Sequence, residues 1–128
     1  MTKILDNLRY TKDDEWVRVE GEEAVIGISD HAQDSLSDIV YLELPGEGEF
    51  FGVHETFGVV ESVKAAADLY MPISGDVVAV NSALQDTPDA LNGDPYGSWL
   101  IRIKMSNPKE LDELMDAAAY RAYCDERQ

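Results

Sequence analysis

The sequence holds one cysteine, Cys124, and two histidines, His31 and His54. A lone thiol forms no internal disulfide, which fits a reducing compartment. Far apart in sequence, these three residues make a poor zinc set. No uninterrupted apolar run approaches the ~18 residues of a membrane span. The opening Met1-Thr2-Lys3-Ile4-Leu5-Asp6 lacks the apolar stretch of a secretory signal, and acids follow too soon for a transit peptide. The chain therefore reads as cytoplasmic and bacterial in type, or as the mature form of an organellar protein. There is no Gly-rich phosphate loop, no Ser-His-Asp order and no metal spacing, which argues against an enzyme. Sequence repeats, heptads and low-complexity segments are absent too.

Basic residues are scarce. Ten Lys and Arg face 26 Asp and Glu, for a formal net charge of −16. Such a surface repels nucleic acid and anionic lipid and suits a basic protein partner. It also serves solubility and points to a monomer. Between Arg18 and Arg102 the only cation is Lys64, in a stretch rich in acids from Glu20 to Asp94. One lysine in such a stretch is either chance or an amine that is needed.

What is present suits one domain over residues 1–128, long enough to bury a core without staples. Residues 10–15 read as an exposed lead-in. Trp16-Val17-Arg18-Val19-Glu20 alternates as a half-buried strand does, and Ala24 to Ile28 returns as the second arm of a hairpin. Asp30 with Gln33 has capping-box spacing for a short helix. Strands are expected at 39–44, within 48–60, within 69–81 and at 99–105, with a loop over 82–98 marked by Pro88, Asn92-Gly93 and Pro95. The C-terminus, about 107–126, reads as helical. Asn107 caps it, Pro108 takes the first position, and Leu111, Leu114, Met115, Ala118 and Ala122 share a face, with Asp116 a point of restart. The fold class is mostly β, a small barrel or sandwich with short flanking helices and a C-terminal helix.

Lys64 falls between a strand through Val59 and Val60 and another leaving from about Leu69, near the tip of a tight connection. An exposed lysine in a turn needs no function to explain it. Its neighbours, however, are apolar or small (Val63, Ala65, Ala66, Ala67) rather than the Asn, Asp and Gly of tight hairpins.

Here the sequence resembles a known family. Phe57-Gly58-Val59-Val60-Glu61-Ser62-Val63-Lys64-Ala65 looks like the lipoyl-lysine motif of the glycine cleavage system H protein. Glu15-Trp16-Val17, Gly27-Ile28-Ser29-Asp30-His31-Ala32-Gln33, Asp38-Ile39-Val40, Glu43-Leu44-Pro45, Asp94-Pro95-Tyr96-Gly97 and Trp99 to Ile103 are similar to further family segments, in order. Leu114-Met115-Asp116 and Ala119-Tyr120 extend the likeness to the C-terminus. Ser37 departs from it, standing where the family has glycine. Ser35 stands where some members place a second histidine lining the arm's cleft.

The resemblance implies a hammerhead-like barrel-sandwich hybrid, as in lipoyl and biotinyl domains. It implies lipoate joined by an amide to Lys64, with Glu61 presenting that lysine to the lipoylating enzyme. Glu15 and Asp68 would line a cleft that shields the loaded arm. The implied partners are a pyridoxal-phosphate glycine decarboxylase, an aminomethyltransferase using tetrahydrofolate, and an FAD dihydrolipoamide dehydrogenase. His31 is expected to pack or cap near the short helix and Cys124 to fill space in the last helix. A biotin carrier would flank its lysine with methionines, unlike Val63 and Ala65. An H-like protein serving mainly in lipoate relay and a plain, unmodified interaction module remain as alternatives.

Overall fold

The computed structural model describes residues 2–127. Nine strands form two sheets. The larger contains β1 (Arg9–Tyr10), β2 (Glu15–Glu20), β3 (Glu23–Ile28), β5 (Phe50–Phe51), β8 (Gly75–Val80) and β9 (Ile101–Met105), in the order β1-β2-β3-β9-β8-β5. The smaller contains β4 (Ile39–Glu43), β6 (Thr56–Ser62) and β7 (Ala66–Tyr70), in the order β4-β6-β7. Neighbouring strands are antiparallel throughout. This is the mostly β, two-sheet architecture expected from the sequence.

The main core lies between the sheets. Val17, Ala24, Ile26, Ile28, Ile101 and Ile103 from the larger sheet join Ile39, Leu42, Phe57, Val60 and Leu69 from the smaller. The opposite face of β1 to β3 carries a second cluster, where Tyr10, Trp16 and Val25 meet Ala117, Tyr120 and Cys124 of the C-terminal helix α4 (Ala117–Glu126). Strand alternation sends Val17 to one cluster and Trp16 to the other. Gly27, paired with Trp16, leaves the room that the indole fills, and Trp16 donates to the Pro95 carbonyl at 3.1 Å.

Several local expectations are corrected. Residues 10–15 are not an exposed lead-in, because Tyr10 and Glu15 are buried. The cap of helix α1 (Asp30–Leu36) is Ser29, whose hydroxyl accepts from Ala32 N–H, while Asp30 accepts from the Gln33 amide. The stretch 82–98 holds two single-turn helices, α2 (Ala83–Asp86) and α3 (Ala90–Gly93), each pinned by a buried leucine, Leu84 and Leu91. The C-terminal segment is helical in two pieces. A 3-10 turn over Pro108–Glu113 ends at Leu114, which is extended, and Met115 bridges to Tyr10. Asp116 then caps α4 through Ala119 N–H, so the buried stripe is Ala117, Tyr120 and Cys124 rather than Ala118 and Ala122. The break supplies two backbone bonds with Tyr10 that a continuous helix would forgo. Among the described residues no helix is long and apolar enough to cross a membrane.

Candidate functional site

Lys64 is the middle residue of the three that join β6 to β7. The last ladder pair is Glu61 with Ala66. Beyond it Ser62 organises the turn. Its N–H and hydroxyl both reach the Ala65 carbonyl, at 2.7 and 3.2 Å, and its hydroxyl oxygen accepts from Lys64 N–H at 3.1 Å and Ala65 N–H at 3.0 Å. Such a serine does the work that Asn-Gly does in tighter hairpins. Val63 N–H donates to the Asp38 carbonyl at 3.0 Å, tying the tip to the strand beside it. The backbone of the tip is thus held at several points. Its side chains are free: Val63, Lys64 and Ala65 are exposed, and none of the ion pairs among the described residues involves Lys64. β7 begins at Ala66, earlier than the sequence suggested, so Ala66 and Ala67 extend the ladder rather than the turn.

Glu61 is exposed on β6, opposite Tyr41 of β4 and Ala66 of β7, one turn away from Lys64. Asp68 is exposed on β7, which is an edge of the smaller sheet, opposite Val59. Ser35 is exposed on α1.

Glu15 stands apart from these. It is 1% exposed at the start of β2, and its carboxylate accepts from Tyr70 N–H at 2.9 Å and from the Thr11 hydroxyl at 3.0 Å. Burial pushes its pKa up to about 8, against the pull of those two donors. The bond to Tyr70 joins the larger sheet to the far end of the strand that leaves the lysine turn. Glu15 also forms part of the wall of a cavity of about 340 Å³. Thr11, His54, Met71, Leu114 and Met115 contribute other parts of that wall, and Asp68 does not line it. The two candidate cleft acids are therefore separated, with Glu15 inside and Asp68 on the outer edge strand.

The sequence reading missed His54, Met71 and the Leu114–Met115 corner. The interrupted apolar pattern around Asp116 was the one available signal for that corner. His54 lies in a loop at φ 71°, a backbone state that nothing in the sequence announces.

A family model described as Glycine cleavage H-protein matches residues 8–127. A glycine cleavage system H protein of Clostridium botulinum is 54% identical over 124 residues, spanning 97% of this chain and 95% of that protein. A glycine cleavage system H protein 2 of Pseudomonas aeruginosa is 52% identical over 126 residues, 98% of each. The crystal structure of a glycine cleavage system H protein from Mycobacterium marinum matches with a TM-score of 0.85 at 34% identity, covering 97% of this chain and 98% of that one. With the two sheets, the lysine turn and these matches together, the chain belongs to the glycine cleavage H-protein family.

Proposed function

We propose that this chain is the lipoyl carrier of a glycine cleavage system, with Lys64 the residue that takes the lipoyl group. The observation that carries this reading is the turn itself: a backbone pinned by Ser62 and Asp38 that presents one unpaired, exposed amine. Lipoate, when attached, supplies a disulfide that can accept an aminomethyl group and a dithiol that can be reoxidised. Everything else in the role falls to the chain's own residues.

The turn fixes where the arm is rooted. Lysine stem plus lipoyl chain is about a dozen bonds, or ~14 Å extended at roughly 1.2 Å advance per bond. From Lys64 along β7 to Tyr70 is six residues, up to about 20 Å at roughly 3.3 Å each, so the extended arm covers about two-thirds of that path. Tyr70 is the residue bonded to Glu15, so an arm laid along this hairpin points toward the cavity. The cavity wall excludes water on its apolar sides through Met71, Leu114 and Met115. Glu15 offers a carboxyl that keeps its proton at neutral pH and gives it up when an ammonium enters beside it. Glu61, exposed beside the turn, is placed to meet a basic surface on a lipoylating enzyme. Asp68 belongs in this reading to the outer face that partners meet.

The partners in this role are the glycine decarboxylase that loads the arm, the aminomethyltransferase that unloads it and the dihydrolipoamide dehydrogenase that reoxidises it. The test is intact mass after incubation with lipoate, ATP and a lipoate ligase. The expected result is gain of one lipoyl group, absent in Lys64→Arg, and glycine turnover in the reconstituted system that Lys64→Arg loses. Only unmodified chain, or turnover retained by Lys64→Arg, would overturn the reading.

A further inference from the structure

A second group of chemistry-bearing side chains lies where α4 docks, outside the lysine turn and the cavity. Ligand atoms of Asp14, His31 and Cys124 all lie within 4.8 Å of one another. They come from three places in the chain: the turn before β2, helix α1 and helix α4. Nδ1 of His31 is buried without a hydrogen-bond partner, and Oδ1 of Asp14 is 3.8 Å away. The Cys124 thiol is buried. One cation already touches the group. The Arg127 guanidinium donates to both Asp14 oxygens, at 2.7 and 3.0 Å, and its Nη2 lies 3.4 Å from the Cys124 sulfur.

We propose that Asp14, His31 and Cys124 are a binding site for a borderline-soft divalent metal ion of the Zn²⁺ type, which Arg127 holds closed. First, the donors are one oxygen, one nitrogen and one sulfur, the set that suits zinc or cobalt and not calcium or magnesium. Tetrahedral bonds of about 2.0–2.3 Å put ligand atoms roughly 3.3–3.8 Å apart, so the group needs to tighten by about 1 Å, a side-chain movement. Three protein ligands leave a fourth position for water.

Second, Nδ1 of His31 is buried with no hydrogen-bond partner, an arrangement that a buried polar atom seldom keeps. A metal ion would complete it. Third, the charges balance. Binding breaks the Cys124 S–H bond, sends its proton to water and forms a sulfur–metal bond with no change of oxidation state. Two positive charges arrive with the ion. Two leave, the guanidinium and the thiol proton.

Fourth, the surroundings are prepared. Tyr120 donates to Asp14 Oδ1 at 2.8 Å, and the Ser29 and Tyr120 hydroxyls meet at 2.6 Å, so the carboxylate is oriented from behind. An open cleft whose lining includes Asp30, Asp34, Asp125, Arg121 and Cys124 itself reaches the site, and its three acids outweigh the one arginine in drawing cations. Arg127 is the C-cap residue of α4, so its side chain can swing out without breaking helix bonds, giving up its stack on Tyr123 at 4.0 Å.

Co²⁺ titration of the full-length, unlipoylated chain tests this, because a bound thiolate gives an intense near-ultraviolet charge-transfer band that carboxylate binding does not. The expected result is a saturable one-to-one band that Zn²⁺ abolishes by competition. Arg127→Gln should bind at least tenfold more tightly. His31→Gln should bind at least tenfold more weakly, and Cys124→Ser should lose the band. Thermal unfolding checks each variant's fold, and Arg127→Lys, which loses the two-pronged clamp but keeps the charge, is the second release variant. No thiolate band in wild type or in either folded Arg127 variant would overturn the proposal. So would a band whose affinity His31→Gln leaves unchanged, since that would be a thiol binding alone.

Discussion

Glu15→Gln should make the protein more stable at neutral pH, although it removes a hydrogen-bonded carboxylate. Glu15 has an ordinary pKa of 4.5 when unfolded and about 8 when folded. Below pH 4.5 both states hold the proton and the group contributes nothing to pH dependence. Between 4.5 and 8 the unfolded chain ionises while the folded one stays neutral, so stability falls as pH rises. Above 8 both are ionised and the penalty is constant. Each pH unit in that window is worth about 1.4 kcal/mol, so the penalty near pH 7 is of the order of 3 kcal/mol. Glutamine mimics the neutral form. Its carbonyl can accept from Tyr70 N–H, but the Thr11 hydroxyl oxygen already accepts from the N–H groups of residues 13 and 15, so the bond to Thr11 is lost at a cost of about 1 kcal/mol. Urea unfolding of both proteins from pH 4 to 9, with a chelator present, gives the comparison. The difference between variant and wild type should be small or slightly negative at pH 4 and rise to a gain of about 2 kcal/mol by pH 7. A flat difference, or a variant weakened by several kcal/mol at pH 7, would refute the reasoning. It would mean that the Tyr70 and Thr11 donors outweigh burial and hold the carboxylate ionised.

Ser37→Gly should stabilise the fold by about 1 kcal/mol, raising Tm by roughly 3–5 °C. Ser37 sits at φ 70° and ψ −150°, a region that glycine alone enters freely, and it bonds through its backbone N–H and carbonyl, which glycine keeps. Calorimetry reads the shift, and a lower Tm would show that the serine side chain carries weight. Gly27→Ala should destabilise by about 3 kcal/mol, because the new methyl would overlap the buried Trp16 indole. A red-shifted Trp16 emission with the lost stability would mark the indole's displacement, and an unchanged urea midpoint would refute it. Ser62→Ala should cost about 1 kcal/mol in the turn and slow lipoylation several-fold, since two N–H groups lose their acceptor. Ligase kinetics that match wild type would show that the enzyme orders the turn itself.

The sequence made the large elements legible because their chemistry is local. The Trp16–Glu20 arm alternates and the apolar Ala24–Ile28 arm returns beside it, and Pro108 after Asn107 starts a helical turn. Lys64 stood out through charge alone, and its turn could be placed from the apolar strands around it. What escaped depends on contacts between distant residues. Thr11-Lys12-Asp13-Asp14-Glu15 reads as a solvated acidic run, yet Tyr10 and Glu15 at its two ends are buried, Tyr10 because α4 covers its face and Glu15 because it turns the other way to meet Tyr70 N–H. Nothing near Asp14 or His31 announces Cys124, because their meeting depends on how α4 docks. Ser29 rather than Asp30 caps α1 because its hydroxyl also reaches Tyr120, a tertiary preference that capping-box spacing does not register.

The two ends of the Lys64 hairpin have opposite demands, and the residues divide accordingly. At the tip, rigidity must come without bulk, so a serine and backbone carbonyls fix the turn and alanines surround the lysine. At the base, Tyr70 N–H is spent on Glu15, a buried carboxyl whose neutral state costs stability at neutral pH. A protein selected for stability alone would place glutamine there. A glutamate there makes sense if a proton must be held at the cavity wall and released when a cation arrives, which is what a carrier of an amine-bearing group requires of its resting place.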